Sequence, residues 1–180
     1  NTVSYDSGNA TYTNSSGHLN YSFNPGCTPT KYLVGDKDWK LEVTGNGCYK
    51  DKTSKIYNLT IRGDVILDYI TPSGAVNFTQ EQTITFLGAT TDDCFDALAT
   101  TVRYSANTSI SSGFLCTNPT QVGANAFTCD YVTALNTTQG YYNTSMFANK
   151  TEHYANLTLK NGSNGLFYIS PKKKLQSPSS

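Results

Sequence analysis

The sequence predicts a mainly β fold, an antiparallel β-sandwich or barrel-like arrangement with one short helix covering an end or edge. Three observations lead there. Apolar and polar residues alternate with period two through about ten short segments; turn formers separate those segments every 8 to 15 residues or so; and one stretch alone carries strong helical spacing.

The strand segments, in chain order, are "LNYSF" (Leu19–Phe23), "TKYLV" (Thr30–Val34), "WKLEV" (Trp39–Val43), "YNLTI" (Tyr57–Ile61), "DVILDYI" (Asp64–Ile70), "VNFTQ" (Val76–Gln80), "TITFL" (Thr83–Leu87), "SGFLC" (Ser112–Cys116), "ANLTL" (Ala155–Leu159) and "GLFYI" (Gly165–Ile169). Between them lie Asn24-Pro25-Gly26, Gly35-Asp36, Gly45-Asn46-Gly47, Pro72-Ser73-Gly74 and Asn161-Gly162-Ser163, residue types that supply positive φ or a preset φ at a turn. In "TTDDCFDALATTVRY" Thr91 is placed to cap a helix over residues 91–104. Asp92 and Asp93 suit its positive N-terminal end, and Phe95, Leu98, Ala99 and Val102 form one apolar stripe. From Ala126 to Leu135 a second helical pattern, Phe127, Tyr131 and Leu135, competes with a strand that the β-branched content favours almost as well.

Eleven Asn-x-Ser/Thr acceptors for N-linked sugar occur, at Asn9, Asn14, Asn20, Asn58, Asn77, Asn107, Asn136, Asn143, Asn149, Asn156 and Asn161, whereas Pro119 disqualifies Asn118. With 17 Asn and 43 Ser plus Thr in the chain, random placement gives about four. The excess indicates an extracellular or surface-exposed glycoprotein of the secretory pathway. In "LNYSF", "YNLTI", "VNFTQ" and "ANLTL" the acceptor Asn alternates with apolar neighbours. A sugar must point to solvent, so Leu19, Tyr21, Phe23, Tyr57, Leu59, Ile61, Val76, Phe78, Leu157 and Leu159 are expected to face a core.

Five cysteines, Cys27, Cys48, Cys94, Cys116 and Cys129, agree with an oxidising compartment. An odd number leaves one thiol over after two bridges. The expected local bridge is Cys27 with Cys48, and the second joins two of Cys94, Cys116 and Cys129. No cysteine pair has zinc-knuckle spacing, and no metal site is expected.

At 180 residues with 37% apolar composition, the chain suffices for one β-rich domain, taken as 1–170, followed by a polar basic tail or linker at 171–180, "PKKKLQSPSS". Charged residues make up 14% and the formal net charge is zero, which removes the electrostatic case for nucleic acid. No apolar stretch approaches the roughly 20 residues of a membrane span, and the polar start lacks the regions of a signal peptide. The chain reads as a mature secreted protein or the ectodomain of a longer precursor.

Catalytic motifs are lacking: there is no Gly-x-Ser-x-Gly elbow, no His-Glu-x-x-His and no phosphate loop. His18 and His153 read as surface residues. The acids Asp92, Asp93 and Asp96 are accounted for by helix electrostatics, with calcium binding as the rival. Thirteen tyrosines offer amphipathic rings for recognition or for packing on sugar, notably Tyr141 and Tyr142 before Asn143. Arg62-Gly63-Asp64 is a possible adhesion motif, and Gly63-Asp64 also suits the centre of a type II′ hairpin turn.

The functional expectation is a non-enzymatic extracellular domain acting in adhesion, surface structure or subunit assembly, including a filament or surface-layer component. It needs no cofactor and carries covalent N-glycans. Its partner would be a protein or glycan at a cell or particle surface, or further copies of the chain joined through edge strands or termini. The alternatives are a virus envelope or pathogen receptor-binding domain, and a secreted carbohydrate-active enzyme with two converging carboxylates.

Overall fold

The computed structural model describes residues 12–21, 23–28, 33–45, 47–48, 50–108, 113–160 and 166–173. The chain divides into two compact units, Asn1–Arg62 and Gly63–Ser180.

In the first unit, β1 (Gly35–Trp39) pairs antiparallel with β4 (Tyr57–Ile61), and β2 (Glu42–Val43) with β3 (Lys52–Thr53). One face of the β1–β4 ladder is polar: Thr60 donates to Asp36 at 2.6 Å and Asn58 to Asp38 at 3.2 Å. On the other face Trp39 stacks on Tyr57 at 4.7 Å. The alternation expected in "YNLTI" is present, but only Ile61 is buried; Tyr57 and Leu59 stay exposed. Of the expected "LNYSF" strand, the described residues Leu19 to Tyr21 and Phe23 lie outside any strand. In "TKYLV", Thr30 to Tyr32 fall outside the described residues, and Leu33 and Val34 precede β1.

The second unit contains β5 (Gly63–Thr71), β6 (Val76–Thr79), β7 (Thr83–Asp92), β8 (Thr101–Asn107), β9 (Phe114–Cys116), β10 (Thr120–Gln121), β11 (Ala126–Val132), β12 (Gly140–Asn149), β13 (His153–Tyr154), β14 (Asn156–Lys160) and β15 (Leu166–Ser170). They form two mixed sheets packed face to face. One has five strands in the order β10-β11-β7-β5-β13. The other has the order β6-β15-β12-β8-β9, with β14 also paired to β12. β13 runs parallel to β5 and β15 to β6, and the remaining pairs are antiparallel. The architecture is a sandwich rather than a closed barrel.

Period-two alternation decides which side chains meet between the sheets. β7 sends Ile84, Phe86 and Thr90 inward, β8 sends Val102, Tyr104 and Ala106, β12 sends Tyr142, Thr144, Met146 and Ala148, and β15 sends Phe167 and Ile169; all are buried. Phe86 lies at the centre of an aromatic group, with ring centroids 5.0 Å from Phe114, 5.9 Å from Tyr104 and 6.2 Å from Phe167. Two bonds cross from sheet to sheet on one side. The Tyr104 hydroxyl of β8 donates to the Phe127 carbonyl of β11 at 2.7 Å, and the disulfide Cys116–Cys129 joins β9 to β11. Opposite Met146, a side chain at Gly88 would place its Cβ 2.5 Å from the Met146 sulfur and 2.9 Å from the Asp68 carbonyl oxygen, so only glycine fits.

The expected helix at 91–104 does not form, and no helix occurs among the described residues. β7 continues through Asp92, whose carboxylate accepts from the backbone N–H groups of Cys94 and Asp96, both at 2.9 Å, and closes a turn. Phe95 takes a left-handed φ of 63° and is exposed, which breaks the apolar stripe. β8 then begins at Thr101. The β-branched Thr90, Thr91, Thr100, Thr101 and Val102 lose side-chain freedom in a helix, and the β8 ladder with β12 buries Tyr104 completely. The ambiguous segment from Ala126 resolves as strand β11.

Replacing Gly88 with Ala should destabilise the unit by about 1–3 kcal/mol through overpacking, measured by denaturant unfolding. Burial pushes the Tyr69 and Tyr104 hydroxyls well above the ordinary phenol value, so the folded chain keeps both neutral where the unfolded chain ionises near pH ~10. Their contribution is therefore complete below that pH and is lost as pH rises beyond it. The melting temperature should fall steeply above pH ~10, and Tyr104→Phe should lower stability by about 0.5–1.5 kcal/mol at neutral pH while making the alkaline fall shallower.

Candidate functional site

The outer face of the six-stranded sheet presents an ordered array of sugar acceptors and aromatic rings. Alternation that turns Tyr142 and Thr144 inward turns Tyr141, Asn143, Ser145, Phe147 and Asn149 outward along β12. Across the ladder with β8, Asn143 stands directly opposite Asn107, Ser145 opposite Ser105, and Phe147 opposite Arg103. The two serine hydroxyls are 2.6 Å apart, and the Arg103 guanidinium lies 4.2 Å from the Phe147 ring centre. On the other side of β12, Tyr141 pairs in register with Tyr168 of β15, which in turn lies beside Asn77 of β6. The Tyr141 and Tyr168 rings meet edge to face at 4.9 Å. The adjacent Tyr142 instead lies in the core, stacked on Phe167 at 5.1 Å.

Of the eleven acceptors, Asn9 and Asn161 lie outside the described residues. The other nine, Asn14, Asn20, Asn58, Asn77, Asn107, Asn136, Asn143, Asn149 and Asn156, are all exposed. Five of them belong to strands of the six-stranded sheet, while β5, β7, β10, β11 and β13 of the facing sheet carry none. The outer side of that facing sheet exposes Asp64, Ile66, Asp68, Ile70, Thr83, Thr85, Asp130 and Val132, with the Thr85 hydroxyl donating to Asp130 at 2.6 Å.

Asn156 departs from the expected register. Its partner in the β12–β14 ladder is the buried Ala148, and its side-chain N–H donates to the Val65 carbonyl of β5 at 2.8 Å. Leu157, expected in the core, pairs with the outward Phe147 and is half exposed. The side chain of Leu159 falls outside the described set. "ANLTL" is thus turned over relative to "VNFTQ", where Asn77 faces out and Phe78 packs on the core as expected, although Val76, also expected in the core, is exposed at the start of its strand. Nothing in the local sequence marks this inversion, because Asn156 is held by a carbonyl 91 residues away.

Arg62-Gly63-Asp64 is not a hairpin tip. Only Arg62 separates β4 from β5, Gly63 is buried within β5 opposite His153, and Asp64 is an exposed strand residue opposite Tyr154. Gly63 lacks the positive φ a type II′ turn demands, because β13 recruits it into a parallel ladder. Cys27 and Cys94 are each disulfide-bonded, and exposed Cys48 belongs to neither disulfide, so the expected Cys27–Cys48 bridge does not form. Asp92, Asp93 and Cys94 cluster, but the Cys94 sulfur is in a disulfide and Asp92 serves its turn. His18 is exposed. His153 is half-buried, its Nδ1 3.1 Å from the Thr151 carbonyl. A shallow groove beside Asn136 is lined by Glu81, Val132, Thr133, Ala134 and Leu135, and its carboxylate, Glu81, pairs with Lys172 at the start of the tail. Lys174 onward lies outside the described residues.

No protein-family model matches the chain, nor does any curated protein sequence.

Asn156→Asp should cost about 1–3 kcal/mol, because a carboxylate replaces the donor facing the Val65 carbonyl. Thr158→Val, which abolishes the same sequon but keeps the amide, should change thermal stability far less. Equal losses in the two variants would show that the Asn156 amide holds nothing.

Proposed function

We propose that the chain is a non-enzymatic extracellular domain, N-glycosylated, that acts in adhesion, surface structure or subunit assembly. The observation that carries this reading is that all nine described acceptor asparagines are open to solvent. Exposure leaves each of the nine accessible to sugar attachment, and the eleven acceptors in the sequence are more than twice the roughly four that random placement gives. Two disulfides fit the oxidising compartment in which such sugars are added.

The division between the sheets supports a contact role. Sugars on the six-stranded sheet leave the outer side of the five-stranded sheet open, and its mixture of Ile66, Ile70 and Val132 with threonines and aspartates suits a protein partner or a further copy of the chain. Asp64 of the Arg-Gly-Asp tripeptide belongs to this open side, as one strand position among several.

Protein produced in an N-glycosylating host should lose several glycan masses on enzymatic deglycosylation, with intact-mass spectrometry as the readout. Light scattering of native material should show association, or cells should attach to a coated surface. An unglycosylated, strictly monomeric and non-adhesive protein would overturn the proposal. So would turnover of a polysaccharide panel that disappears in Glu81→Gln.

A further inference from the structure

The Tyr141–Tyr168 pair is left unexplained by the core. Tyr142, Phe167 and Ile169, its sequence neighbours, fill the space between the sheets, whereas Tyr141 keeps 62% of its surface exposed. The two rings form an apolar step on a face that also presents Asn143, Asn107, Ser105, Ser145 and the Arg103–Phe147 stack. Acceptors flank this step on both sides. Asn143 shares strand and face with Tyr141, two residues on and therefore about 7 Å away along the strand, and Asn77 lies beside Tyr168 at the inter-strand spacing of about 5 Å.

The directions open to a glycan on Asn143 differ in what they offer. Asn107, itself an acceptor, stands directly across the ladder, so a sugar there closes that side. Along β12 towards Ser145, the Ser105–Ser145 hydrogen bond and the Arg103–Phe147 stack continue the surface without an open ring. Towards Tyr141 an exposed ring lies within the breadth of one sugar. The proximal N-acetylglucosamine units of an N-glycan carry an apolar face of axial C–H groups, which is the surface that packs on an aromatic ring.

We propose that Tyr141, braced by Tyr168, is a carbohydrate-stacking site that seats the proximal sugars of the glycan on Asn143. The inference rests on the glycoprotein reading above and adds a ligand site to it. Stacking would immobilise the base of one glycan, convert an exposed aromatic patch into covered surface, and couple sugar attachment to the stability of the β12–β15 ladder.

The experiment is a double-mutant cycle on full-length chain from an N-glycosylating host, with Asn143→Gln and Tyr141→Thr made singly and together. Thr keeps strand propensity without the ring. Peptide mass spectrometry first establishes occupancy at Asn143; an unmodified Asn143 overturns the proposal together with the glycoprotein reading at that site. With Asn143 occupied, Tyr141→Thr should raise the unfolding equilibrium constant about two- to tenfold more in the glycosylated chain than in the Asn143→Gln background. Additivity within error, or coupling to Asn77→Gln instead of Asn143→Gln, would overturn the proposal. A second readout applies to folded wild-type protein alone: with 13C-labelled glycans, one N-acetylglucosamine should show ring-current-shifted proton resonances by NMR. Random-coil shifts for every sugar would refute stacking even if the Tyr141→Thr chain failed to fold.

Discussion

Face-to-face packing of the two sheets around Phe86 and Tyr104 is the constraint on which the rest of the second unit depends. Tyr104 comes from β8 in one sheet and Phe86 from β7 in the other, and both are fully buried. Burying such rings is among the larger favourable terms available to a chain this size, at about 1.5–3 kcal/mol for a full apolar side chain. Packed sheets stand about 10 Å apart, so large side chains on one inner face interdigitate best where small residues stand opposite. Gly88 under Met146 and the buried Ala106 and Ala148 are such small residues.

Once the sheets are at that distance, their cross-links become geometrically available. The Tyr104 hydroxyl reaches the Phe127 carbonyl, Cys116 reaches Cys129, and Asn156 reaches the Val65 carbonyl. Each satisfies or fixes a group that the core alone would leave costly. The disulfide closes a separation of 13 residues, worth about 3 kcal/mol on a chain-entropy account. Asn156 shows that a sequon asparagine can serve as a structural donor between the sheets while the residue itself stays exposed.

The same alternation that builds the core also builds the outer surface. Every inward Tyr142 or Tyr104 obliges an outward Asn143 or Arg103, and pairing register then decides which outward residues are neighbours. In this way Asn143 comes to stand beside Asn107, and Tyr141 beside Tyr168, although 36 residues separate the first pair in sequence and 27 the second. The strands of the opposite sheet carry no acceptors, and their outward positions hold Ile66, Ile70 and Val132 among threonines and aspartates instead.

The mainly β class was determined by the sequence itself, because period-two alternation and β-branched residues leave little room for another arrangement. "DVILDYI", "TITFL" and "GLFYI" fall where strands β5, β7 and β15 form, and the outward placement of Asn77 follows from "VNFTQ" alone. The helix expected at 91–104 failed for a reason no window of sequence contains: the partner that pulls Thr101 to Asn107 into a strand is β12, more than 30 residues on. Gly63-Asp64 likewise has the chemistry of a turn, but β13 supplies a parallel neighbour. Local propensity differs between such states by about 1 kcal/mol per residue or less, whereas burial of a ring such as Tyr104 outweighs it. Which face each strand turned inward, and hence which asparagines stand together, which one ties the sheets and which cysteines meet, was therefore decided by the packing of the two sheets.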